Sequence, residues 1–205
     1  MKKSVLKIIS ICIAIVMIFS LCGCGKDKDE CLLIKNVKLE ESTYKLGDIM
    51  GDYTITDING KSYTFSEVLK DKEAIVLNFW FSNCLPCKNE FPYLQKAADK
   101  YSDDIAVFAI NPIDTKDEKI EKFVKENKLK LTVVKGDPAW ESALQIQGYP
   151  TTVIIDRYGK IVFSHIGSIT EEGLFEKIFD IYVADDYEQT VINNINELKN
   201  QDIKE

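Results

Sequence analysis

The sequence predicts an α/β chain in which a central mixed sheet is flanked by helices and preceded by a β-hairpin. Ala74-Ile75-Val76-Leu77-Asn78-Phe79-Trp80 is almost continuously apolar, as a strand covered on both faces must be. Beyond it, strand-like and helix-like stretches alternate. Ahead of it, Asn59-Gly60 separates two short runs rich in Thr, Ile, Tyr and Phe, the pattern of a hairpin.

Taken in order, Lys2, Lys3 and Lys7 precede a run from Ile8 to Leu21 that is apolar apart from Ser10 and Ser20, the layout of a secretory signal. At fourteen residues it falls short of the roughly 20 needed to span a bilayer. Leu21-Cys22-Gly23-Cys24 resembles a bacterial lipobox, in which Cys24 is acylated and residues 1–23 are removed. Cys22 fits less well, because Leu21 is large where a small residue is expected. The alternative is an ordinary secretory signal with two incidental cysteines. Removal of 1–23 takes three lysines and moves the formal charge from -7 to -10. Such an acidic product lacks the basic stripe of a nucleic-acid binder, and its membrane attachment would come from acyl chains.

Residues 24–42 are charged and aperiodic and read as a tether, of which roughly 17 residues could span at most about 55 Å. Residues 43–184 form the expected domain. Tyr53–Thr56 and Lys61–Phe65 make the hairpin, with Asn59-Gly60 supplying positive φ angles. A short helix capped by Ser66 follows, then the central strand, then a helix over Pro86–Tyr101 that contains Pro92 and should kink there. A strand Ile105–Ile110, a helix Lys116–Asn127 opened by the Thr115/Glu118 capping pattern, and a strand Leu131–Val134 continue the alternation. Asp137-Pro138 opens a helix expected to reach Gly148. Strands Thr152–Asp156 and Lys160–His165 flank the turn 156–159, and a helix Glu171–Val183 closes the domain. Residues 185–205 carry a weakly amphipathic pattern, either a docked or a solvated helix.

Cys84-Leu85-Pro86-Cys87 lies where the buried strand gives way to a helix. Two cysteines at this spacing on a first helical turn can form a disulfide. The unpaired N–H groups and the helix dipole favour a thiolate on the first, lowering such thiols from about 8.5 to roughly 3.5–7.5. Helix geometry leaves Cys84 outside as attacking nucleophile and turns Cys87 inward as resolving thiol. The competing readings are a static disulfide, which would constrain little chain entropy here, and a zinc half-site, for which there is no second cysteine pair and only one histidine, His165. His165 reads as a strand residue with a local hydrogen bond. Cys31 is left over as a free thiol in the tether, with an intermolecular disulfide or a relay to the active pair as other roles.

The stretch Asn78-Phe79-Trp80-Phe81-Ser82-Asn83-Cys84-Leu85-Pro86-Cys87-Lys88-Asn89-Glu90-Phe91-Pro92 resembles the active-site segment of membrane-anchored thioredoxins of the TlpA/ResA type. Gly148-Tyr149-Pro150-Thr151 resembles their second signature. The resemblance covers about residues 46–183 and implies a thioredoxin fold with a thiol-disulfide oxidoreductase activity. It implies a cis bond at Pro150, a Tyr149 backbone that pairs with an extended substrate segment, and a Glu90 carboxylate that moves a proton to or from the inner thiol. Glu90 shares the Cys87 helix face by spacing, and a solvated glutamate is the plain alternative. Trp80, Leu85, Pro86 and Tyr149 are the candidate partner-binding residues, although Trp80 also suits the strand-end core. Where the family has tryptophan before the first cysteine this chain has Asn83, which reduces the apolar surface beside the nucleophile.

The expected function is exchange of protein disulfides outside the cytoplasm, in the reducing direction by analogy, by a monomer fed by a membrane electron donor. No cofactor or metal is expected beyond the redox-active disulfide. Two alternatives stand: a peroxiredoxin-like thiol peroxidase, and a non-catalytic surface module with a structural disulfide.

Overall fold

The computed structural model describes residues 31–184 together with 186 and 187; the leader, Cys24 and nearly all of the 185–205 extension lie outside the described residues. Among the described residues no helix is long and apolar enough to cross a membrane.

Five strands form one sheet in the order β5-β4-β3-β6-β7: β3 (Ala74–Phe79), β4 (Ile105–Asn111), β5 (Thr132–Lys135), β6 (Thr151–Asp156) and β7 (Ile161–Ile166). β4 runs parallel to β3 and β5 to β4, whereas β6 is antiparallel to both β3 and β7. The mixed sheet is thus as the sequence predicts, with the apolar run at its centre. All six residues of β3 and of β6 are buried. Strand alternation sends Ile75, Leu77 and Phe79 into one core with Phe65, Phe108 and Trp140. Ala74 and Val76 enter a second core with Leu94, Phe175 and Phe179.

The helices are α1 (Phe65–Val68), α2 (Leu85–Lys100), α3 (Asp117–Glu126), α4 (Ala139–Ala143) and α5 (Leu174–Val183). α2 runs unbroken through Pro92. A separate hairpin pairs β1 (Thr54–Thr56) with β2 (Ser62–Thr64), and its turn reaches the main sheet where Ile58 N–H donates to the Val133 carbonyl (2.9 Å).

Several local expectations are corrected. In the hairpin turn only Gly60 takes a positive φ (87°), because the Asp57 carboxylate accepts the Asn59 and Lys61 N–H groups and closes the loop without Asn59 leaving the ordinary region. Ser66 does not cap α1; it lies inside the first turn, and Asp52 receives both its N–H (2.9 Å) and its hydroxyl (2.8 Å). Thr115 does not cap α3, whose N-cap is Lys116, and Asp117 and Glu118 supply the negative charge its first turn favours. α4 stops at Ala143, well before Gly148, since Gln145 at φ 52° turns the chain out of the helix.

The tether expected over 24–42 is, from Cys31 onward, packed on the domain. Leu32 N–H donates to Tyr158 O, Ile34 N–H to Met50 O and Asp52 N–H to Ile34 O, while Leu33 is buried. Leu33 lies against Gly159, whose φ is 87° and where a Cβ would meet Leu33 Cδ2 at 2.8 Å. Charge and aperiodicity concealed this, because only the irregularly spaced Cys31, Leu33, Val37 and Leu39 of the segment pack on the core.

Candidate active site

β3 delivers the chain to the site. The Trp80 N–H still donates to Ile110 O (3.0 Å), and then the backbone leaves the sheet. Cys84 N–H donates to Phe81 O (3.0 Å), closing a turn, and Cys84 takes extended backbone angles as the N-cap of α2. Its Sγ accepts the Cys87 N–H (3.1 Å), one of the donors that a helix start leaves unpaired. Pro86 falls in the first turn, where its missing N–H is not needed. Cys84 and Cys87 are joined by a disulfide, with Cα atoms 5.3 Å apart.

Cys87 is fully buried and Cys84 is 4% exposed, so the first cysteine is the more open of the two by a small margin. Leu85 and Pro86 are exposed, Leu85 by 66%. Trp80 is not available to a partner: it is fully buried between Phe91 (ring centroids 5.4 Å) and Phe123 (4.7 Å), because the end of β3 still faces the core.

The peptide bond Tyr149-Pro150 is cis. Its loop meets the cysteine segment through the edge contact of Tyr149 with Phe81, centroids 5.4 Å apart. Gly167 N–H donates to Pro150 O and the Thr151 hydroxyl to Gly148 O. Tyr149 donates its phenol to Glu141 (2.9 Å); burial, then that carboxylate, push its pKa up. Among the described residues neither the N–H nor the C=O of Tyr149 has a hydrogen-bond partner.

Glu90, one turn beyond Cys87 on α2, is fully buried. Oε1 accepts from the Asn78 amide (2.7 Å) and Oε2 from Ile169 N–H (2.7 Å), while the same Asn78 amide reaches the Thr152 hydroxyl (3.1 Å). Burial pushes the carboxyl up to about 7, against the pull of the Ile169 and Asn78 donors.

Two contributors escape the sequence reading. Asn78 is the one polar residue within the apolar strand, and that interruption is the signal that could have found it. Asp114, in the loop after β4, accepts the Ser82 N–H (2.7 Å) and the Asn111 amide (2.9 Å) and pairs with Lys119. Burial works against its charge, but Lys119, Asn111 and Ser82 together hold it down at about 2. No local pattern announces a contact spanning 32 residues.

Among the described residues no cluster of His, Cys, Asp and Glu could hold a metal ion. His165 is exposed on β7, with the Phe163 ring 6.3 Å away. Cys31 is a free, half-buried thiol whose pKa is raised by burial.

Residues 46–164 match the AhpC/TSA family. The chain is 30% identical over 142 residues to the thiol-disulfide oxidoreductase ResA of Bacillus cereus, covering 66% of this chain and 78% of that one. It is 26% identical over 129 residues to the thioredoxin-like protein YneN of Bacillus subtilis, covering 62% and 75%. The crystal structure of StoA from Bacillus subtilis superposes with a TM-score of 0.52 at 27% identity, covering 60% of this chain and 93% of that one.

Proposed function

From a chain that belongs to the AhpC/TSA family of thioredoxin-like proteins and is a thiol-disulfide oxidoreductase, we infer a protein-disulfide reductant that works outside the cytoplasm, held at the membrane by a lipid on Cys24. The observation that carries the redox assignment is the Cys84 sulfur at the start of α2, accepting the Cys87 N–H and disulfide-bonded to Cys87. In the reduced protein the same N–H and the helix dipole stabilise a Cys84 thiolate.

That thiolate attacks one sulfur of a partner disulfide. An S–S bond forms between Cys84 and the partner, and the partner's other sulfur leaves as a thiolate. Cys87 then gives up its proton and attacks the Cys84 sulfur. The Cys84–Cys87 disulfide forms, the second partner sulfur leaves, and two electrons have passed to the partner. Glu90 is suited to take the Cys87 proton, since a carboxyl titrating at about 7 can both hold and release a proton near neutrality. Leu85, Pro86 and the unpaired backbone of Tyr149 beside cis-Pro150 would bind an extended partner segment. A membrane donor of two electrons would then restore the dithiol, with the protein acting as a monomer.

Insulin reduction with dithiothreitol tests this: the parent turns over, Cys84→Ser does not, and equal rates for the two would overturn the assignment. Cys87→Ser should accumulate mixed disulfides through Cys84 in cells, whereas peroxide-dependent thiol consumption by the parent would favour a peroxidase. An unmodified N-terminus by mass spectrometry would refute acylation at Cys24.

A further inference from the structure

Between the last β3 rung at Trp80 and the first turn of α2, the chain has to be held by something other than sheet or helix. Phe81 accepts from Cys84, and Ser82 donates its N–H to the Asp114 carboxylate (2.7 Å). The other end of that contact is itself braced. Asn111 is fully buried, its side-chain oxygen accepts the N–H groups of Asp114 (2.9 Å) and Ile113 (3.2 Å), and its amide donates to Asp114 Oδ2 (2.9 Å). Gly136 N–H in turn donates to the Asn111 carbonyl (2.9 Å). The carboxylate is therefore held by contacts independent of Ser82. Its charge is matched by Lys119, whose side chain is 46% exposed while that of Asp114 is 2% exposed.

We infer that Asp114 is a positioning residue of the redox site: it fixes the Ser82 amide two residues ahead of Cys84, and the Asp114–Lys119 pair sets the charge under which Cys84 becomes a thiolate. This rests on Cys84 being the attacking thiol. Two residues of chain span at most about 7 Å, and the hydrogen bond to Ser82 (2.7 Å) and the Cys84 side chain bring the upper bound between carboxylate and sulfur to roughly a Debye length or a little more; both groups are buried, so solvent screens them only in part. An unmatched anion at that range disfavours a second negative charge on sulfur, and an unmatched cation favours it. The other titratable groups on the elements that build the site are Glu90 and Lys88 on α2 and the Tyr149–Glu141 pair by the cis-proline loop. They stay unchanged in the variants below.

The test is the pH profile of iodoacetamide alkylation of the reduced full chain, read peptide by peptide by mass spectrometry so that Cys84, Cys87 and Cys31 are separated. Lys119→Gln leaves the carboxylate unmatched and should lower Cys84 alkylation at pH 6.5 about threefold, shifting the profile up. Asp114→Asn keeps size and an acceptor for Ser82 but leaves Lys119 unmatched, and should raise it about threefold, shifting the profile down. A merely structural contact would move both variants the same way. Asp114→Ala, which drops the acceptor, should lower the rate at the alkaline plateau where charge no longer matters, and Asp114→Asn should restore it. Shifts of the same sign in the two charge variants, or none as large as twofold, would overturn the inference. So would an alanine variant with the parent's plateau. Lys119→Gln alters a half-exposed side chain and keeps the test decisive if the alanine variant does not fold. If Cys84 proves not to be the thiol that reacts at lower pH, it is the assignment of the attacking cysteine that fails.

Discussion

Glu90 and Asp114 are both carboxylates buried beside the redox site, and both accept one backbone N–H and one side-chain amide. Glu90 is pushed up to about 7, while Asp114 is held at about 2. Burial acts against the charge in each case, and more strongly at the fully buried Glu90 than at Asp114. The difference in kind is Lys119, a full positive charge on Asp114 where Glu90 has only neutral donors. Two neutral donors leave a buried carboxyl able to exchange a proton near pH 7, whereas a cation fixes it as an anion. The first environment suits chemistry at Cys87, and the second suits holding the Ser82 backbone.

The largest expected effect follows from the raised carboxyl. Folding favours the protonated form of Glu90, so its contribution to stability is fully present below 4.5, its ordinary value, and is lost as pH rises through about 7. The difference amounts to about 3 kcal/mol at most. Urea unfolding of the oxidised protein at pH 5 and pH 8 should show this fall in the parent and not in Glu90→Gln. Parallel pH dependence in the two proteins would break the contrast on its Glu90 side. Next in size, Glu90→Gln should slow insulin reduction on the order of 10²-fold and remove any inflection near pH 7, since an amide cannot take the Cys87 proton. An unchanged rate would leave the carboxylate as a packing residue.

How far the two environments could be read in advance differs as well. The apolar run 74–80, the cysteine spacing and the helix after it announce the central strand and the disulfide, because a strand covered on both faces and a capped first turn leave local signatures. Glu90 was legible as a face-sharing neighbour of Cys87. Its burial was not, because that depends on Ile169, 79 residues away, closing over it. The same limit explains residues 31–42, where charge suggested a free tether and Leu33 instead packs beside Gly159, and Trp80, whose exposure was settled by Phe91 and Phe123. Asp114 leaves no local signature because its partners are assembled by the sheet: the end of β3 beside the end of β4.

Asp114 predicts the opposite slope at the acid end. Its folded value lies below the ordinary 3.8, so the stability it contributes is present above that pH and is lost as pH falls through about 2. With the half-exposed Lys119 discounted for solvent screening, the loss should be about 1–2 kcal/mol. Asp114→Asn should flatten this acid limb while leaving the fall between pH 5 and pH 8 that belongs to Glu90. A variant that altered both limbs would mean that the two carboxylates are not independent.

The smallest expected effect is the one that sharpens the contrast most. Lys119→Gln removes the cation and leaves Asp114 with the Ser82 N–H and the Asn111 amide, the same kinds of donor that Glu90 has. If the lysine is what separates the two sites, the Asp114 carboxyl should move up from about 2 in an NMR titration of side-chain carboxyl carbons. Stability at pH 7 should fall by only about 0.5–1 kcal/mol, because a lysine with half its side chain in water already spends part of its charge on solvent. A carboxyl that stayed at about 2 without Lys119 would assign its depression to the two neutral donors. Glu90, with donors of the same kinds, would then have to owe its raised value to deeper burial alone.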